Sequence, residues 1–191
     1  MKAPRVFLMV VAIALAAGIG PALTDAADMT AASLYPKAVD PLEAATGGKV
    51  LEIRFVDEKG HERFESVVAK PDQVIYMGVD PVTENVTKIA IKELPAWMLN
   101  WKLTEYVSSI EKATVPLAKA ITKAEAMAGA PAIGAGLAKP LSGANQVLAY
   151  NIELLKGGKR RLIAIDATNG AKIANPEALY ESWTPVRLVG N

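Results

Sequence analysis

Apolar and polar residues alternate along residues 50–56, and the alternation stops at the turn-forming stretch 57–60. A period of two is typical of a half-buried strand, so this segment predicts a strand that ends in a hairpin turn. Residues 65–69 and 74–79 predict two further strands that are separated by a second turn. Residues 50–79 are therefore predicted to form a small antiparallel sheet.

A second pair of predicted strands, residues 151–155 and 160–165, flanks the turn Gly157-Gly158. Residues 131–143 precede this pair and are rich in Gly, Ala and Pro, so they predict a loop. The strand that would correspond to residues 50–56 is poorly defined here and is expected to be irregular.

The chain resembles itself at an offset of 82, which places residues 37–47 over residues 119–129. In each segment a good N-cap residue precedes a Glu by three positions, the capping-box spacing, and a Gly follows that Glu by four. The residues are Asp40, Glu43 and Gly47 in the first segment and Thr122, Glu125 and Gly129 in the second. Both segments are predicted to be short capped helices.

An offset of 86 applies further on and places Phe64 over Tyr150 and Asp80 over Asp166. The four extra residues fall in the predicted loop, where insertions are tolerated. The sequence therefore predicts an α+β fold of two repeated units, each a short helix packed on a small antiparallel β-sheet, joined by a linking helix. The predicted boundaries are 1–26 for a signal peptide, 33–90 and 113–175 for the units, 91–112 for the linking helix and 176–191 for a C-terminal tail.

The N-terminal residues have the three-part layout of a secretory signal peptide. Lys2 and Arg5 precede an apolar or small-residue stretch at 6–19, and a segment rich in small residues follows. Cleavage is expected after Ala22, Ala26 or Ala27, with Ala26 favoured. The stretch is shorter than the ~20 residues that a membrane-spanning helix needs, and no other segment approaches that length. We expect a periplasmic protein without a membrane span in its mature part; the alternative is an uncleaved N-terminal anchor.

Composition excludes several classes of function. Residues 1–26 hold two of the 21 basic residues and one of the 20 acidic ones, so the remainder has 19 of each. A neutral chain gives no electrostatic reason to expect nucleic-acid binding. Cysteine is absent and His61 is the single histidine, which excludes disulfides, thiolate sites and multi-histidine metal sites. No catalytic motif is present, so we expect neither enzyme activity nor an organic cofactor.

The end of each predicted unit resembles the PepSY domain family. Residues 163–173 read Ile-Ala-Ile-Asp-Ala-Thr-Asn-Gly-Ala-Lys-Ile, which is similar to the family pattern V-D-x-x-T-G-x-V, and Tyr150 stands at the leading aromatic position. Residues 77–86 follow the pattern except that Glu84 stands where the second copy has Gly170. The resemblance implies helices packed on small antiparallel sheets, no catalytic machinery, and binding or inhibition of secreted peptidases or other cell-envelope partners. It also implies metal binding in some members.

Acidic residues give an alternative function, the binding of calcium or a lanthanide. Hard cations need several oxygen ligands that converge on one point. The predicted ligands lie in the first hairpin and after the apolar strands, and they are Asp57, Glu58, Glu62, Asp80, Glu84 and Asp166. For Asp80 and Asp166 the structural alternative is an Asx turn, in which the carboxylate accepts a backbone N–H two residues further on.

Two groups of residues are candidates for binding a partner. Trp97 and Trp101 are one helical turn apart in the predicted linking helix, where they either form a docking surface or pack between the units. Lys159, Arg160 and Arg161 form a basic run at the second hairpin turn, opposite in sign to the acidic turn of the first unit. We therefore expect a non-enzymatic periplasmic PepSY-like protein that binds, and in one version inhibits, an envelope protein or peptide.

Overall fold

The computed structural model describes seven stretches of the chain. They are residues 35–58, 61–71, 73–80, 83–88, 94–95, 107–138 and 147–176. Several predicted features lie outside these residues. They are the signal peptide, Trp97 and Trp101, and nearly all of the C-terminal tail. Within the described stretches, no helix is both long enough and apolar enough to cross a membrane.

Short helices and strands make up most of the described residues. The helices are α1 (Tyr35–Thr46) and α2 (Leu117–Ala128), and residues 107–110 are also helical. The strands are, in chain order, β1 (Lys49–Glu58), β2 (His61–Lys70), β3 (Gln73–Val79), β4 (Val86–Lys88), β5 (Leu94–Pro95), β6 (Ala132–Leu137), β7 (Ala149–Lys156), β8 (Lys159–Asp166) and β9 (Lys172–Ile173).

These strands form one continuous antiparallel sheet in the order β4-β3-β2-β1-β6-β7-β8-β9, and β5 also pairs with β3. The predicted fold class, two repeated helix-on-sheet units joined by a linking helix, is therefore wrong. The molecule is β-rich, with a single sheet and few helices. The physical reason is the direct pairing of β1 with β6. This pairing gives hydrogen-bond partners to the backbone groups at the edges of both strands, and it joins the strands on either side into one sheet.

The join between β1 and β6 uses residues that were predicted to form a loop. Ile53 lies opposite Ala135, and Arg54 lies opposite Gly134. Ile53 and Ala135 are 82 positions apart, the offset found between the two predicted helices. Alanine and glycine have low strand propensity, but β6 is hydrogen-bonded on both sides, by β1 and β7, and this pairing outweighs the local preference.

Both helices cover the same face of the sheet. Their buried residues follow the i, i+3, i+4, i+7 spacing of an amphipathic helix, and they are Tyr35, Ala38, Val39 and Leu42 in α1 and Leu117, Ala120, Ile121 and Ala124 in α2. These side chains share one hydrophobic core with Ile53, Phe64, Ile152 and Ile165 of the sheet. We call this side of the sheet the helix-covered face.

Tyr35 connects α1 to the join at the middle of the sheet. Its hydroxyl donates a hydrogen bond to the carbonyl of Ile133 on β6 at 2.5 Å and accepts one from the backbone N–H of Phe55 on β1. Its ring packs edge to face against Phe64, with ring centres 4.5 Å apart. Burial raises the pKa of Tyr35 far above its ordinary value, so the hydroxyl stays protonated and remains a donor.

The predicted starts of the two helices are wrong, whereas the predicted ends are confirmed. Asp40 and Thr122 lie inside α1 and α2, so neither is an N-cap. The Thr122 hydroxyl instead donates to the carbonyl of Ala118, at 3.0 Å. Gly47 and Gly129 follow the last helical residues with φ of 67° and 57°, the left-handed conformation that ends a helix.

Glu43 and Glu125 do not form the predicted capping boxes. Each lies near the end of its helix, and its carboxylate accepts a backbone N–H from the strand that follows. Glu43 binds the N–H of Val50 at 3.0 Å, and Glu125 binds that of Ala132 at 2.9 Å. Burial raises the pKa of each of these two carboxyls above the ordinary value for glutamate. The two glutamates thus tie each helix to the next strand.

The predicted linking helix at 91–112 is wrong at residues 94–95. Leu94 and Pro95 form β5, which pairs with Val74 and Gln73 of β3. Only residues 107–110 of the described part are helical. Proline is compatible with this position because a short edge strand does not need every backbone N–H as a donor.

Candidate binding site at the β8 edge of the sheet

The β7–β8 hairpin places a basic run at one corner of the sheet. Gly157 and Gly158 form its two-residue turn, with φ of 55° and 70°, and Lys156 pairs with Lys159 beside it. Positive φ at both turn positions is the geometry that glycine allows and that matches the twist of the flanking strands. The side chains of Lys159, Arg160 and Arg161 are all exposed.

The outer side of β8 is paired over only part of its length. Strand β9 pairs with Ala164 and Ile165, and the N–H of Asp166 donates to the carbonyl of Ala171 at 2.8 Å. Because backbone groups alternate in direction along a strand, Leu162 and Arg160 also direct their N–H and C=O groups outward. Within the described residues, no strand pairs with these two positions. We call residues 159–163 on this outer side the β8 edge.

Strand β9 stops early for a local reason. After Ile173 the chain turns at Asn175, which has a φ of 48°, and Pro176 has no N–H to donate. The turn leaves a cleft of about 460 Å³ beside β8. Its lining combines apolar and polar residues and consists of Leu162, Ile163, Lys172, Ile173, Ala174, Asn175 and Pro176.

The two sides of the β8 edge differ in charge. Ile163 and Ile165 lie in the main core, so Arg161 and Lys159, at alternate positions, extend on the helix-covered face. Arg160 extends on the opposite face, where it forms an ion pair with Glu153 at 3.1 Å. The positive charge of the edge is therefore concentrated on the helix-covered side, at Lys159 and Arg161.

The loop after β8 shows how Asp166 is used. Its carboxylate accepts hydrogen bonds from the N–H and hydroxyl of Thr168, at 2.7 and 2.6 Å, and from the N–H and side-chain amide of Asn169, at 3.2 and 2.8 Å. Burial alone raises the pKa of Asp166, but these hydrogen bonds outweigh it and hold the pKa below its ordinary value. The Asx-turn interpretation is confirmed for Asp166, and both carboxylate oxygens accept hydrogen bonds within this loop.

The corresponding loop after β3 has a similar turn. Asp80 accepts the N–H of Thr83 at 2.8 Å, and the N–H of Glu84 donates to the carbonyl of Asp80 at 2.9 Å. Glu84 takes the left-handed conformation itself, with a φ of 57°, as Gly170 does with 73°. Its substitution for glycine in the family pattern therefore leaves the turn in place.

The predicted metal ligands are not brought together in the described residues. Asp80 and Asp166 follow β3 and β8, which are five strand positions apart, about 24 Å at the usual spacing, and their ends point in opposite directions. Asp57, Glu58 and Glu62 share the β1–β2 hairpin, but the side chains of Glu58 and Glu62 are not among those that the structure describes. Among the side chains that are described, no three acidic or histidine groups are placed to hold one ion.

The acidic and basic hairpin turns do not occupy equivalent places in the two halves of the sheet. The acidic turn joins β1 to β2, whereas the basic turn joins β7 to β8. Strands β1 and β7 run in the same direction with β6 between them, so both turns lie at the same end of the sheet. The acidic and basic turns thus lie near each other along one end of the sheet.

Comparisons with known proteins add little. No protein-family model matches the chain, and no curated protein matches it significantly. Among solved structures, the chain is similar to a candidate lipoprotein of Clostridium difficile 630, with 15% identity, coverage of 73% of this chain and 89% of that chain, and a TM-score of 0.46. A likeness of this degree decides neither fold nor function, so the resemblance to the PepSY family stays a prediction.

The sequence identified the basic run but not the unpaired backbone beside it. Leu162 looked like an ordinary strand residue, because the missing neighbour depends on where β9 ends. The available signal was Asn175-Pro176, a turn-forming pair that comes only two residues after Ile173.

Proposed function

We propose that this chain is an exported, non-enzymatic protein of the cell envelope that binds an extended segment of a protein or peptide at the β8 edge. The observation that carries the proposal is the outer side of β8 at residues 160–162, which no strand of the described part of the chain pairs with, next to an open cleft. An extended segment that adds to a sheet edge gains backbone hydrogen bonds there, and side-chain pockets give it specificity.

The size and chemistry of the site support this proposal. A cleft of about 460 Å³ lies within the range of ligand sites, and its lining combines apolar side chains with exposed polar ones. Charge on an edge strand disfavours pairing with another copy of the same edge. Here the charge is of one sign, so it does not disfavour a segment of opposite charge. The absence of cysteine and the single histidine in the sequence support a binding role over a catalytic one.

Site-specific photo-crosslinking tests the proposal. A photo-reactive amino acid replaces Leu162 at the β8 edge in one variant and Met127, an exposed residue of α2, in a matched control. Both variants are purified, mixed with cell-envelope extract and irradiated. We expect adducts of defined mass from position 162 that are absent from position 127.

The same experiment has outcomes that overturn the proposal. Identical adducts from both positions would mean that capture is not directed by the β8 edge. An absence of adducts from position 162, with adducts from position 127, would place the partner elsewhere on the molecule.

Calcium or lanthanide binding at the hairpin carboxylates is the alternative function. Asp57, Glu58 and Glu62 remain its predicted ligands, because they share one hairpin. Titration calorimetry with calcium and with a lanthanide tests it, and a Glu58→Gln/Glu62→Gln variant is the control. Heat that disappears in this variant would support the site, and the absence of heat at millimolar metal would exclude it.

A further inference from the structure

We propose that the segment bound at the β8 edge is acidic on alternate residues, with the order apolar, acidic, any residue, acidic from its N- to its C-terminus. This inference rests on the proposed function, because it specifies what the same edge selects. It follows from the register of β8 and from the distribution of charge on its two faces.

The register determines which ligand residues bond and which side chains meet. Leu162 and Arg160 offer outward backbone groups, so a strand added antiparallel to β8 hydrogen-bonds opposite these two residues. The ligand residues opposite Arg161 and Lys159 form the intervening non-hydrogen-bonded pairs. In such pairs the side chains approach each other most closely, with β-carbons about 4.5–5.5 Å apart.

The charges then determine the preferred side chains. Arg161 and Lys159 lie two residues apart on the helix-covered face, and both are exposed. Carboxylates at the two facing ligand positions match this charge. On the other face, Arg160 already forms an ion pair with Glu153. The ligand residue opposite Arg160 therefore does not need to carry a charge. The residue opposite Leu162 faces the apolar part of the cleft lining.

The expected selectivity is moderate because the ion pairs are exposed. Two exposed ion pairs of ordinary strength correspond to about a 2- to 30-fold change in affinity, so replacing both ligand carboxylates with neutral amides should weaken binding by about that factor. Raising the salt concentration should reduce the difference, since such pairs are screened.

Peptide titration followed by amide NMR spectra tests the inference. The probes are acetyl-Thr-Val-Glu-Thr-Glu-Thr-amide and two versions in which both Glu are replaced by Gln or by Lys. We expect the Glu peptide to shift the backbone amides of Arg160 and Leu162 and to bind most tightly. The Lys159→Glu/Arg161→Glu variant should reverse the order and prefer the Lys peptide by about 10-fold.

A proline variant tests the backbone part separately. Leu162→Pro removes the outward N–H without removing a β7–β8 hydrogen bond, and proline is tolerated where the N–H of an edge strand faces away from its neighbour. Leu162→Ala is the matched control, because it shortens the same side chain and keeps the N–H. We expect the proline variant to lose binding of the Glu peptide at least 10-fold more than the alanine variant does.

The outcomes separate the two proposals. If Glu, Gln and Lys peptides bind equally and all depend on the Leu162 N–H, the acidic preference is wrong and edge binding stands. If binding of every peptide is unaffected by Leu162→Pro, or shifts amides elsewhere, edge binding itself is wrong.

Discussion

The two outer strands of the sheet, β3 and β8, are covered to different extents. Strand β3 is paired at both ends, with β4 along 77–79 and with β5 at 73–74. Among the described residues, the outer side of β8 is paired only at 164–165, by β9. At an offset of 86 the position of Arg160 corresponds to that of Val74, which is fully buried and paired with Leu94. One edge is closed and apolar, and the other is open and basic.

The faces of the sheet opposite the helices differ in a similar way. Glu65 on β2 is buried and accepts hydrogen bonds from Arg54 at 2.7 Å and from Arg63 at 2.8 Å. Asn151 on β7, at the same offset of 86, is only 1% exposed, and neither polar atom of its amide has a hydrogen-bond partner among the described residues. Gly136 and Ala149 stand where the arginines would be. Among the described side chains, the buried glutamate on the β3 side is therefore paired, whereas the buried amide on the β8 side is not.

The largest expected effect tests whether the two sides form one cooperative structure. Ile53→Ala removes a fully buried side chain at the join and should lower the free energy of unfolding by about 4 kcal/mol. Because the sheet is continuous, we expect a single transition in urea by circular dichroism. Met127→Ala, at an exposed position, should change little. Two separate transitions would contradict a single cooperative sheet.

Matched proline variants compare the two edges directly. Val74 is fully buried, so Val74→Pro removes a buried N–H that is positioned to pair with β5 and should cost about 2–3 kcal/mol. Arg160→Pro removes an N–H at the open edge and should cost less than about 1 kcal/mol. Urea denaturation measures both. Equal losses would mean that the β8 edge is covered after all.

Acid titration examines the charged cluster on the β3 side. Burial alone raises the pKa of Glu65, but hydrogen bonds from Arg63 and Arg54 outweigh it and hold the pKa below its ordinary value. The unfolded chain therefore binds the proton more readily, and stability falls as the pH drops through the acid range. Glu65→Gln should lose about 2 kcal/mol at pH 7. The gap to the wild type should close as the pH falls below the ordinary glutamate pKa; a constant gap would contradict the role of the charge.

The smallest effect has the opposite sign and concerns Asn151. A buried amide without partners costs free energy, so Asn151→Val should raise the free energy of unfolding by about 1 kcal/mol. Thermal unfolding with Ala164→Gly as a destabilising control on the neighbouring strand provides the measurement. A loss of stability in Asn151→Val would show that the amide is satisfied in solution.

Local patterns predicted the strands well and the assembly poorly. Residues 50–56 and 160–165 carry alternating or apolar strand signals, and both lie in strands of the structure. Strand β6 was missed because its Ala and Gly residues carry no strand signal; only pairing on both sides makes it a strand. The single sheet was missed for the same reason, since the contact of Ile53 with Ala135 is invisible to any local window.

The candidate site was predicted in part. Charge and turn chemistry placed Lys159, Arg160 and Arg161 at a hairpin, because both are properties of a few consecutive residues. The open edge was not predicted, because it depends on the length of β9 and on the turn at Asn175. The helix starts were misplaced because Asp40 and Thr122 have the chemistry of N-caps without the position.

The pairing of β1 with β6 also determines the order in which the chain can fold. Ile53 and Ala135 are 82 residues apart in the chain, and sheets built on such distant contacts form slowly. The β7–β8 hairpin needs only its own two-glycine turn, and hairpins form within about 1–10 μs. A newly synthesised chain should therefore form the β8 edge before the sheet closes, so the extended segment that we propose as its ligand can pair with it while the rest of the protein is still folding.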